Sequence, residues 1–78
     1  MARYFFDVDD GERRTLDRDG HEMVSPAAMR REAIGALPAN AADALPDGDH
    51  RVFQVRVRDE GGRPVFHASL TLAAGWLS

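Results

Sequence analysis

Residues 3–8 alternate so that Tyr4, Phe6 and Val8 share one face while Arg3, Phe5 and Asp7 share the other. Alternation of aromatic and β-branched residues predicts a strand. Asp9-Asp10-Gly11-Glu12 is a turn signal, with acids able to bond their own backbone and a glycine free to take positive φ. A short return strand over residues 13–16 is its partner. A second turn, Asp17-Arg18-Asp19-Gly20, leads through His21-Glu22-Met23-Val24 to a helix start.

Ser25-Pro26 marks that start, because a serine oxygen caps free amides and proline is pre-set for the first helical position. The helix is expected from residue 26 to about residue 45, with an apolar stripe of Ala27, Ile34, Leu37, Ala41 and Leu45. Gly35 and Pro38 interrupt it. An interior glycine costs about 1 kcal/mol relative to alanine and an interior proline about 3 kcal/mol, so a kink or break is expected across residues 34–38. Pro46-Asp47-Gly48 stops the element.

Residues 51–58 form the cleanest strand pattern, Phe53, Val55 and Val57 alternating with Gln54, Arg56 and Arg58. Asp59-Glu60-Gly61-Gly62 closes a hairpin, and Pro64 opens the return strand, where a missing amide is tolerated. On that strand Phe66, Ala68, Leu70 and Leu72 face opposite to His67, Ser69 and Thr71. The elements predict an α+β fold: β-hairpin, α-helix, β-hairpin, forming a four-stranded, mainly antiparallel sheet with one helix packed on one face. Strand order stays open. One helix covers one face, so the other, carrying Arg3, Phe5, Gln54, Arg56, Arg58, Val65, His67, Ser69 and Thr71, must meet water or a partner.

The chain has 78 residues, room for a single domain spanning 1–78. About 34 residues are hydrophobic, but twelve of them are alanine, so the core is thin. A chain of this size buries only roughly 60% of the surface its unfolded form exposes. Without cysteine, neither a disulfide nor a thiolate metal site is available, and self-association is the remaining means of adding burial. Phe5 lies between two inward aromatics, so alternation sends it outward. Beside Val65 it would make an apolar spot that a homodimer could cover.

Ten arginines, nine aspartates and four glutamates leave a net charge of −3. That field opposes nonspecific nucleic-acid binding, which draws on phosphate neutralisation. The arginine surplus sits in the last third of the chain. No apolar run reaches the roughly 18 residues that span a bilayer, and the start lacks the apolar core of a signal peptide, so no membrane association and a cytoplasmic location are expected.

Catalytic and metal chemistry find little footing. Asp7, Asp9, Asp10 and Glu12 cluster at the first hairpin, yet the spacing fails the calcium-loop template, and turn chemistry accounts for them. His21, His50 and His67 have no paired spacing that would place two imidazoles on one metal. Ser25, Ser69 and Ser78 sit in no nucleophile-elbow sequence, and glycine-rich phosphate loops are absent. No catalytic residue, metal or cofactor is assigned. Arg56 and Arg58 with Arg3 and Phe5 could form a basic, aromatic surface for single-stranded nucleic acid. Cross-strand pairing of those arginines with Asp7 and other acids is the preferred alternative.

The opening Arg3-Tyr4-Phe5-Phe6, the Asp17-x-x-Gly20-x-Glu22 step into the helix, and Val57-Arg58-Asp59-Glu60-x-Gly62-Arg63-Pro64-Val65 carry a resemblance. Over nearly its whole length the chain resembles a family of small uncharacterised proteins of rhizobia and related alphaproteobacteria, a domain of unknown function. Members often carry histidine where this chain has Asp7 and proline where it has Ala2. The resemblance implies a fold and a bacterial source, and no activity. The expected function is a noncatalytic binding module that self-associates and contacts a protein partner through the open sheet face, centred on Arg3, Phe5, Gln54, Arg56, Arg58, Val65 and His67. The alternative is a small nucleic-acid-linked regulator, similar to the antitoxin partners of toxin pairs in element order alone.

Overall fold

The computed structural model describes residues 1–44 and 49–78. Its elements are β1 (Ala2–Asp9), β2 (Arg14–Thr15), β3 (His21–Met23), α1 (Pro26–Ala44), β4 (His50–Arg58) and β5 (Pro64–Ala73). The expected α+β arrangement is present, with a fifth strand added. The main sheet runs β2-β1-β4-β5, every pairing antiparallel, and β3 pairs with β1 beyond the end of β2.

Strand β1 is central. One edge pairs with β4 from Phe5↔Arg58 to Asp9↔Gln54. The other holds β3 against Ala2, Arg3 and Tyr4 and β2 against Val8 and Asp9. The predicted return strand shrinks to Arg14–Thr15, and Leu16 is exposed. The segment read as a connector, His21–Met23, instead pairs with β1. Its three residues are too few for a period to be read from sequence. Because β3 and β4 both run antiparallel to β1, they run parallel to each other, and α1 joins them by crossing over the sheet.

The N-terminus of α1 is capped as expected: Ser25 Oγ accepts the Ala28 amide at 3.0 Å and the Ser25 carbonyl accepts the Met29 amide at 3.1 Å. The helix does not break at Pro38, but runs through it to Ala44. Pro38 and Ile34 are both exposed, so the carbonyl that proline leaves without an amide lies on the solvent side. The buried stripe also differs. Met29, Ala33 and Leu37 are buried and Ala41 is partly so, whereas Ala27 is exposed and Ile34 is 38% exposed. Alanine at position 33, fully buried, lets the helix approach the sheet closely, and that fit outweighs the greater hydrophobicity of Ile34. Leu45 and the Pro46-Asp47-Gly48 stop lie outside the described residues.

The core is Met29, Ala33 and Leu37 of α1 against Phe53, Val55 and Val57 of β4. Helix α1 packs mainly on β4 and β5, with lighter contact to β3. Tyr4, Phe6 and Val8 on the same side of β1 are therefore only half-buried. In the second hairpin, Asp59 Oδ1 accepts the amides of Gly61 and Arg63, both at 2.9 Å, and Gly62 takes φ +84°. A register shift follows, since Val57 pairs with Phe66 but Arg58 pairs with Pro64, which leaves Val65 as the bulged residue.

Candidate functional site

The register lays out the open face in rows. Phe5, Arg58 and Pro64 form one; Asp7, Arg56 and His67 the next; Asp9, Gln54 and Ser69 a third; Val52 and Thr71 a fourth. Among the described residues no element covers this face, and Gln54, Arg56 and His67 are exposed. Arg58 leans out of its row to Asp7 in the next, its Nε donating to Oδ2 at 2.7 Å and its Nη2 to Oδ1 at 3.0 Å, a forked charge-assisted pair. Arg3 pairs with Glu22 at 3.1 Å. Cross-strand pairing thus spends two of the four arginines and histidines on this face. Arg56, opposite Asp7 in register, enters no ion pair among the described residues.

The expected apolar spot of Phe5 beside Val65 does not form. Phe5 points outward but is half-buried: the Arg58 guanidinium lies 5.1 Å from its ring centroid, and Gly20 packs against its edge. Val65, 42% exposed, sits on β5 with β4 standing between it and Phe5. Strand order, absent from the alternation pattern, decides this separation.

The stretches that carry the family resemblance meet at one corner. Between β2 and β3 the chain leaves the edge of β1, and the Asp17 side chain fills the gap. Its Oδ2 accepts the Phe6 amide at 3.1 Å, while its Oδ1 accepts the amides of Asp19 at 3.1 Å and Gly20 at 3.0 Å. Asp7 Oδ1 accepts the Asp17 amide at 3.0 Å, and Arg58 Nη2 donates to the Asp17 carbonyl at 2.9 Å. Arg3 joins in, donating from Nη1 to the Asp19 carbonyl at 2.7 Å and from its amide to Glu60 Oε1 at 3.1 Å. Gly20 has φ +73°, and a Cβ there would stand 2.9 Å from Arg3 Cγ and Phe5 Cε2. The spacing Asp17-x-x-Gly20-x-Glu22 is therefore an architectural device: a carboxylate that replaces ladder partners, a glycine without room for a side chain, and a partner for Arg3.

Burial pulls the Asp7 carboxyl upward, but the Arg58 guanidinium and the Asp17 amide outweigh it and leave its pKa below the ordinary carboxylate value. Asp17 follows the same logic. Burial raises it, and the amides of Gly20, Phe6 and Asp19, with His21 nearby, bring it below the ordinary value.

The first-turn acids are spent locally. Asp9 Oδ1 accepts the Gly11 amide at 2.8 Å, and Asp10 Oδ1 accepts those of Glu12 at 2.9 Å and Arg13 at 2.8 Å. Arg51 pins this tip to β4 through the Asp10 carbonyl at 2.7 Å. Among the described residues no group of three or more histidines, cysteines or acids is placed to hold a metal. His21 sits edge-on to Phe6 and 3.5 Å from Asp17, away from His67 on the opposite sheet face.

A groove of about 580 Å³ lies on the helix side, with Phe6 and Val8 as floor, Leu16 and Asp17 on one wall, and Glu32 and Ala36 of α1 on the other. Sequence reasoning misses it, because it exists only where α1 lies over β4 and β5 and leaves β1 partly covered. No helix among the described residues is long and apolar enough to cross a membrane.

Neither a curated protein nor a solved structure matches the chain. One family model does, over residues 3–71, a span that takes in the whole Asp7, Asp17 and Arg58 corner and both hairpin turns. With nearly all of its length inside that match, the chain belongs to the family described as Domain of unknown function (DUF6894).

Proposed function

We propose that this protein is a noncatalytic binding module that engages a protein partner through the open sheet face and associates with itself. The observation that carries the reading is one-sided coverage: α1 shields one face, and the other presents Gln54, Arg56 and His67 to solvent with Arg56 outside every ion pair among the described residues. An exposed arginine amid hydrogen-bonding side chains suits a polar, acid-bearing protein surface. Arg3, Phe5 and Arg58 frame that patch rather than form its centre, since their side chains are committed to the corner.

Affinity capture with nuclease treatment tests this, run in parallel on the wild type and on an Arg56→Glu/His67→Glu variant. A defined protein retained by the wild type after nuclease and lost from the variant supports the face. Identical retention by both removes it.

A second reading, a small nucleic-acid-linked regulator, draws on the pocket of about 180 Å³ where Arg14, Arg56 and Arg58 converge on the same face. Asp7 and Asp9 line that pocket too, and the net charge is −3, so the protein-partner reading is preferred. Salt-dependent retention on nucleic acid that is lost on Arg56→Ala would reverse the preference.

A further inference from the structure

We infer that the free edge of β5 pairs antiparallel with β5 of a second copy, joining the two sheets into one continuous sheet across a two-fold axis at Leu70. This deepens the self-association in the reading above by naming the strand and register, and it leaves the open face available for a partner.

The alternation of the ladder is set by one bond. The Ala74 amide donates to the Asp49 carbonyl at 2.7 Å, and in the same register Arg51↔Leu72, Phe53↔Leu70, Val55↔Ala68 and Val57↔Phe66 are hydrogen-bonded pairs. The intervening residues His67, Ser69, Thr71 and Ala73 turn their amides and carbonyls away from β4. Among the described residues nothing pairs with them.

The two edges of the sheet are treated differently. The far edge is broken into strands of two and three residues, the Asp17 carboxylate fills the gap between them, and Arg18 and Asp19 stand beside it. These are the short strands, charges and plugs by which proteins keep an edge from pairing. Strand β5 is ten residues long and has none of them past its start: Pro64 and the bulge lie at one end, and residues 65–73 contain neither aspartate, glutamate, lysine, arginine nor proline. The tail beyond it does not fold back, since Trp76 is 96% exposed.

Side-chain parity and the exposure of Leu70 together select the register. Free-edge residues must pair with free-edge residues, and among the registers this allows, centring the axis on the exposed Leu70 puts Ser69 opposite the partner's Thr71 and His67 opposite the partner's Ala73, each pair exchanging two backbone bonds. Leu70 then faces its own copy in a non-hydrogen-bonded pair, where side chains approach most closely. Leu70 is 40% exposed although it belongs to the helix-side face, and the pairing covers it. A two-fold axis normal to the sheet keeps both helices on one side and both open faces on the other.

Light scattering at tens of micromolar tests the state, with a mass near twice the 8.6 kDa of the chain expected. Ser69→Pro removes an outward amide that β4 does not use, and it should weaken the dimer by roughly tenfold or more, equivalent to about 1.4 kcal/mol. The charge pair Ser69→Lys/Thr71→Lys places lysine opposite lysine and should give a monomer. Ser69→Lys/Thr71→Glu places lysine opposite glutamate and should restore the dimer, a rescue that impaired folding would not produce. Amide exchange at Ser69 and Thr71 should slow as concentration rises. A monomeric wild type overturns the edge pairing and leaves the protein-partner reading to its own test. A dimer that survives both edge variants, or that only Arg56→Glu disrupts, overturns it in favour of self-association through the face.

Discussion

Asp17 holds three backbone amides on one carboxylate, at a point where β1 has no neighbouring strand. Asp17→Ala is expected to destabilise the fold by about 1–3 kcal/mol, the cost of leaving such donors unmatched, as read from urea midpoints. The pH dependence follows from the same bonds. The folded pKa values of Asp7 and Asp17 lie below their unfolded values, near 3.9, so both groups contribute stability that is present above that pH. It is lost as pH falls through the folded values. Acid titration of the wild type should therefore show a loss of stability beginning below about pH 4 that is reduced in Asp17→Asn. Gly20→Ala forces a side chain into positive φ and against Arg3 and Phe5, and a loss of about 1–3 kcal/mol is expected in thermal melts.

The helix shows how packing overrides propensity. Leu37 and Ala41 flank Pro38 and both contribute to burial over the sheet, so the proline is carried inside an element that contacts hold together. Two substitutions should release the stored penalty. Gly35→Ala meets nothing within 4 Å and should gain about 0.5–1 kcal/mol. Pro38→Ala should gain as much as about 3 kcal/mol, because it restores an amide and removes a ring clash. Both gains would appear as raised melting temperatures. A loss at Pro38→Ala would mean that the fit of α1 to the sheet depends on the proline.

At the scale of the molecule, six buried side chains among the described residues form the core, and Phe53 is the largest of them. Phe53→Ala should cost about 3–5 kcal/mol, a large share of a total stability for small proteins of about 5–15 kcal/mol, and should lower the melting temperature sharply. Circular dichroism would register it. A core this small makes association consequential. If copies pair through β5, the wild-type melting temperature should rise with protein concentration, whereas that of Ser69→Lys/Thr71→Lys should not.

Local chemistry was legible from the residues alone. Alternation marked β1, β4 and β5, aspartate and glycine marked both hairpin turns, and Ser25-Pro26 marked the helix start, because each of these signals acts within a few residues. The α+β architecture follows from their order. Tertiary structure decided the rest. β1 became central, α1 settled over β4 and β5 on Met29 and Ala33 rather than Ile34, and Asp17 changed from a turn acid to a substitute for a missing strand. Strand order also separated Phe5 from Val65 and left the long edge of β5 unguarded. Apolar strand faces are nearly interchangeable partners, so order and register are chosen by close packing and by the hydrogen bonds of residues distant in sequence, which no local pattern encodes.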